Sequence, residues 1–286
     1  MNIQALLASS IDGLMVGIIY GLAAMGLTLI FGVMRVINLA HGPIIAMGMY
    51  AILVLTTSLG LNPYLSLIIT IVLGLLVGIV MYFVAISRVI NAPELTTLLA
   101  TYSVNLMIIG LATVVFTTTP RAVDVDLGAF RTGAITILGT KAVAVLIAIL
   151  VAVALYFFLY RTRMGKSIRA VANNRGAAEL MGISTNWVLA LSFGIGIMLA
   201  ATSGGLLSTL FSFTVLSGSV YETKSFVIVV LGGLGNPTGA LVGGIVIGLL
   251  EGLTTMFMPV GWVPIIEYGI FVLILLVRPN GLFGAR

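Results

Sequence analysis

Apolar positions gather into nine runs, at about residues 10 to 34, 39 to 58, 64 to 87, 95 to 118, 136 to 160, 187 to 211, 225 to 235, 239 to 258 and 264 to 277. Most reach the ~20 residues that carry a helix across a ~30 Å hydrocarbon core, and strand-like alternation is not evident. The pattern predicts an all-α polytopic membrane protein of about eight or nine spanning helices, one or more broken by Gly and Pro. The seventh run, "SFVIVVLGGLG", is too short to cross untilted at ~1.5 Å per residue and reads as a half-helix. Backbone polar groups in lipid must be satisfied within the protein, and little sequence is left for a soluble part. A single transmembrane domain over residues 1–286 is expected.

Composition sharpens this picture. The chain is 60% hydrophobic and 7% charged, where soluble proteins have about a quarter of their residues charged. Its formal charge of +5 sits beside the apolar runs and forms no long basic face, so it reports membrane orientation and predicts no nucleic-acid partner. Residues 161 to 175, "RTRMGKSIRAVANNR", hold five basic residues and no acid, which places this loop in the cytoplasm. Counting crossings backward puts Arg88 and Arg35 inside, and the loop "TPRAVDVDLGAFRTG" and the N-terminus outside. Counting forward, Arg278 and Arg286 favour a cytoplasmic C-terminal "VRPNGLFGAR". The opening "MNIQALLASSIDGL" has no basic n-region and is not read as a cleavable signal, so the first span is expected to stay. With no Cys and one His, thiol chemistry and a metal site drop out; no nucleophile stands with a base, so neither an enzyme nor a cofactor is expected.

Polar interruptions carry the candidate chemistry. In "RVINLAHGPIIAMGMY", Pro43 lacks an N–H and disfavours helical dihedrals at Gly42, so a new helix begins there on the cytoplasmic side. Asn38 and His41 can hydrogen-bond the freed backbone, or, with Arg35, line or gate a pathway. Thr97, Thr101 and Asn105 recur at i, i+4 and i+8 and share one helix face, which either packs on a neighbour or lines the route. Residues 161–186 read as an amphipathic helix pair, with Ile168, Val171, Ala172, Ala178 and Met181 on an apolar side, for a lipid interface or a partner's groove. Glu251 is more central in its run, whereas Glu267 lies near a predicted external end within reach of solvent. Gly239, Gly243 and Gly244 give small-xxx-small spacing that suits packing within the chain or against a second membrane chain. "NLAHGPIIAMGMYA" and "GLGNPTGALVGGIVIG" echo each other as breaks before an apolar helix, a pattern that in transporters points to a binding or gating region and that chance also produces in a chain with 34 Gly.

Four stretches together, "GLAAMGLTLIFGVMRVINLAHGPIIAMGMYA", "RAVANNRGAAELMGIS", "FVIVVLGGLGNPTGALVGG" and "RPNGLFG", resemble in order the signature regions of the shorter permease type in ABC importers for branched-chain amino acids. The resemblance implies a membrane permease moving such amino acids inward, multi-pass in the cell's inner or plasma membrane. It implies as partners two ABC ATPase subunits, a second and longer homologous permease and an external substrate-binding protein. It also makes 161–186 the ATPase-coupling segment, with Lys166, Arg169, Arg175, Ala177, Ala178, Glu179 and Gly182 as its residues. Gly176 stands where an acid commonly precedes the paired alanines, which leaves Glu179 as the substitute. No G-x-x-x-x-G-K-[ST] loop is present, so ATP hydrolysis must come from another subunit. The contrasting readings are a self-sufficient channel or carrier for a small neutral solute such as urea or an amide, and a proton-driven carrier using Glu251; neither needs an ATPase dock.

Overall fold

The computed structural model describes residues 3–132, 135–278 and 281–283. Among the described residues, nine long helices carry the apolar runs: α1 (Ile3–Met34), α2 (His41–Leu59), α3 (Pro63–Met81), α4 (Glu94–Phe116), α5 (Gly139–Arg161), then α8 (Thr185–Ser208), α9 (Ser217–Gly232), α10 (Pro237–Phe257) and α11 (Val263–Val277). The short helices α6 (Arg163–Asn173) and α7 (Arg175–Leu180) lie between α5 and α8. Among the described residues, eight helical segments are long and apolar enough to cross a bilayer, α11 only together with the 3-10 turn Val260–Trp262 before it; α9, with 16 residues, falls short. A π-helical turn, Tyr82–Ile86, continues α3.

Helix starts follow local chemistry. Asn62, Asn174 and Asn236 each accept an amide of the first turn they precede, and Pro63 and Pro237 occupy first-turn positions where a missing N–H costs nothing. α8 and α1 form the centre, with 89% and 83% of their most apolar windows buried, against 11% in both α4 and α11, which face outward. Glycine lines the most extensive helix contact: Gly13, Gly17 and Gly21 of α1 run antiparallel to Gly252, Gly248, Gly244 and Leu241 of α10. A Cβ on Gly13 would stand 2.3 Å from the Gly248 carbonyl oxygen, so nothing larger fits. The small-residue face of α10 therefore packs within the chain: Gly244 meets Gly21, Gly243 meets Ile228 and Gly239 meets Gly232.

One element departs from the sequence expectation. Residues Ala129–Thr132 (β1) and Ile135–Leu138 (β2) form an antiparallel hairpin in the loop before α5, with Ala129 opposite Leu138 and Phe130 opposite Ile137. Four-residue strands are too short for alternation to register in a chain this apolar. Nearby, Arg121 and Phe213 exchange two backbone hydrogen bonds of 2.8 Å, tying the segment after α4 to the segment after α8. The predicted end at Arg286 lies outside the described residues.

Candidate functional site

The break between α1 and α2 is a buried extended segment. Arg35 adopts φ 55°, and the chain then runs without helix until His41, while Asn38 and His41 have no exposed surface. His41 Nε2–H donates to the carbonyl of Ala23 at 3.0 Å. Ala23 lies 11 residues before the end of α1, or about 16 Å along the helix. The new helix thus starts beside α1 well before the C-terminal end of that helix, and not level with that end as the sequence implied. Carbonyls left free by the unwinding are met from α4: Thr101 Oγ1 donates to Ile37 O at 3.1 Å, and Asn105 Nδ2 donates to Leu39 O. Thr97 shares the buried face but bonds within its own helix, to Glu94 O at 2.7 Å. Asn38 Oδ1 accepts from Ala40 N at 3.1 Å, whereas Asn38 Nδ2 and His41 Nδ1 are buried without a partner among the described residues. Arg35 points out and does not join Asn38 and His41. A second helix start meets the first: Gly218 of α9 lies on Gly42, where a Cβ would stand 2.3 Å from the Gly42 carbonyl oxygen. The Glu222 carboxylate lies against the first turn of α2, an anion at the positive end of a helix.

The segment between α5 and α8 is built as a bracket. Gly165, Ile168 and Val171 are the buried face of α6, and Gly165 sits so close to Phe158 O that a Cβ would fall 2.1 Å from it. Arg169 folds back, donating from Nε to Leu159 O at 3.2 Å and covering the Tyr160 ring at 4.7 Å. Arg175 reaches Glu179 at 3.3 Å and Asn91 at 3.2 Å, and Thr185 at the start of α8 donates to the same Glu179 oxygen at 2.6 Å. The Thr185 hydroxyl, and then Arg175, hold the Glu179 carboxyl below the usual carboxylate range. Glu179 is thus occupied in bracing α7 to α8. Ala178 is buried, and Lys166 and Ala177 are exposed. Leu180 is 90% and Met181 82% exposed, followed by Gly182 at φ 78° with open space around it. Met181 therefore leaves the apolar side on which the sequence placed it. Neither Leu180 nor Met181 stood out as a site residue; two large apolar side chains at the end of a short helix were the available signal.

At the opposite end of the bundle three charged groups meet. Lys224 of α9 contacts Glu251 of α10 at 2.6 Å and Glu267 of α11 at 3.0 Å, and its ammonium lies 4.8 Å from the centre of the Tyr20 ring. Glu267 is 3% exposed, which corrects the expectation that solvent reaches it. The acids are held as ion-pair partners of a lysine that the sequence pattern had left just outside the seventh run.

Residues 9–277 match the family model described as branched-chain amino acid transport system / permease component. The chain is 30% identical to the high-affinity branched-chain amino acid transport system permease protein LivH of Escherichia coli (strain K12), over 96% of this chain and 94% of that one. It is 31% identical to the probable branched-chain amino acid transport permease protein LivH of Methanocaldococcus jannaschii, over 92% and 88%. A more distant similarity, 28% over 84% and 74%, is to the fructose import permease protein FruG of Bifidobacterium longum. No solved structure matches the chain.

Proposed function

Because the chain belongs to the family of branched-chain amino acid transport system permease components, we propose that it is the transmembrane subunit of an ABC importer that carries branched-chain or related amino acids inward. The single observation that carries this reading is a family match running through nearly every helix, coupling segment included. ATP hydrolysis belongs to two separate ATPase subunits, and a second permease chain and an external binding protein complete the assembly. α6 and α7 face the cytoplasm, where the exposed end of α7 enters a groove on the ATPase. Leu180 and Met181 are the anchors, Ala177 lets the surfaces approach, and Gly182 turns the chain back toward α8. Glu179, Arg175 and Arg169 keep α6–α7 rigid, so that a push on α7 reaches α8 instead of bending the loop. Lys166 adds positive charge at the rim of the dock. The break from Arg35 to His41, held by Thr101 and Asn105 with Thr97 on the same face, is the part of the body that yields when α8 moves.

Leu180 is the sharpest probe, since a side chain with 90% of its surface exposed contributes almost nothing to folding of the isolated chain. Leu180→Glu is expected to leave the protein in the membrane at normal abundance and to cut ATP-driven uptake of labelled L-leucine at least ~10-fold. Unchanged uptake would remove the docking role. Leucine flux through the purified chain alone in liposomes, without ATPase subunits, would favour the self-sufficient carrier instead.

A further inference from the structure

The ion cluster on Lys224 borders a cavity of about 330 Å³, lined by Tyr20, Tyr221, Ser212, Phe211 and Val220 together with Lys224 and Glu251. The cavity lies near the end of α8 and the last turns of α10, away from α6 and α7. Its size is at the lower limit of small-molecule sites and suits an amino acid. The two acids are not equivalent. The Glu267 side chain is 4% exposed and is not part of the cavity lining, whereas Glu251 is 28% exposed and lines the cavity. Lys224 therefore has one permanent partner and one exchangeable partner.

We propose that this cavity is a zwitterion-exchange site. An entering amino acid puts its α-carboxylate on Lys224 and its α-ammonium on Glu251, replacing the Lys224–Glu251 pair by two equivalent pairs. Both protein charges keep an opposite charge in contact throughout, so the ligand enters without leaving either one bare in a poorly hydrated place. A ligand with only a carboxylate takes Lys224 and leaves Glu251 uncompensated, whereas one with only an ammonium can take Glu251 while Lys224 keeps Glu267. Phe211 and Val220 give the apolar side chain a wall, and the Ser212 hydroxyl lies beside them. The site thus selects for the α-amino-carboxylate unit and is permissive toward the side chain. This inference rests on the amino-acid reading of the transported solute.

The chain has no cysteine of its own, so a single reporter can be placed in the cavity. In the assembled transporter, Ser212→Cys is reacted with a trimethylammonium methanethiosulfonate and the modification is read on this chain. At ten times its dissociation constant, L-leucine is expected to slow the reaction about tenfold. 4-Methylpentanoate, which lacks the ammonium and so leaves Glu251 bare, is expected to leave the rate unchanged, as is L-leucine when Glu251→Gln is added. The proposal is overturned if leucine gives no protection, if 4-methylpentanoate protects equally, or if the Glu251→Gln protein keeps its protection. The analogue comparison needs no second substitution and stands even if that variant fails to assemble. Leucine uptake by the Ser212→Cys transporter without protection would end the exchange site and leave the transport reading intact. Protection without uptake would do the reverse.

Discussion

Asn105 and Thr101 give their hydrogen bonds to two carbonyls of the unwound stretch, Leu39 and Ile37, in a region where water is not available to replace them. Asn105→Leu is expected to lower stability by about 1–2 kcal/mol, visible as a drop in thermal midpoint of the detergent-purified protein. Thr101→Val is expected to cost less, because that hydroxyl is shared between Ile37 O and Leu98 O. An unmoved midpoint together with an altered KM for leucine would turn the stripe from a brace into a lining. The periodicity of Thr97, Thr101 and Asn105 made their common face legible in the sequence, but their targets are more than sixty residues away and have no local signature. The same holds for Lys224, whose acids stand 27 and 43 residues further along on two other helices.

At the scale of elements, the contact between α1 and α10 depends on the absence of side chains. Gly248 meets backbone atoms of both Gly13 and Gly17, so Gly248→Leu is expected to force the two helices apart and to abolish accumulation of the folded protein. Gly110, with nothing within 4 Å, serves as the comparison: Gly110→Ala is expected to leave accumulation unchanged. Equal accumulation of the two variants, measured in membranes by immunoblot, would show that the helices separate without penalty. Helix existence was legible from hydropathy in every long element, and boundaries were least so where charge is buried. The seventh run was placed at 225 to 235, yet α9 begins at Ser217, because Glu222, Thr223 and Lys224 interrupt the apolar pattern while remaining helical. The hairpin of β1 and β2 was illegible for the opposite reason, since nothing in four residues distinguishes a strand from a loop.

For the whole molecule, the direction proposed for every crossing rests on the arginine-rich segment between α5 and α8. A cysteine placed at Ser167, half-buried on α6, or at Phe130, 67% exposed on the hairpin, gives opposite ends of the molecule to label. An impermeant thiol reagent applied to intact cells is expected to modify Phe130→Cys and to reach Ser167→Cys only after permeabilisation; the reverse pattern would invert the topology and end the docking role of α7. Charge placement carries the expectation of orientation, while the depth at which α2 begins has no signal in the sequence, because it depends on how far the chain doubles back along α1. That depth also bears on how the protein is made. The stretch linking α1 to α2 is completed by α4, which leaves the ribosome more than fifty residues later. Until then the nascent chain holds two bare carbonyls, Ile37 and Leu39, so α1 and α2 cannot settle as a finished pair, and the order of synthesis keeps the link between them loose until its last support arrives.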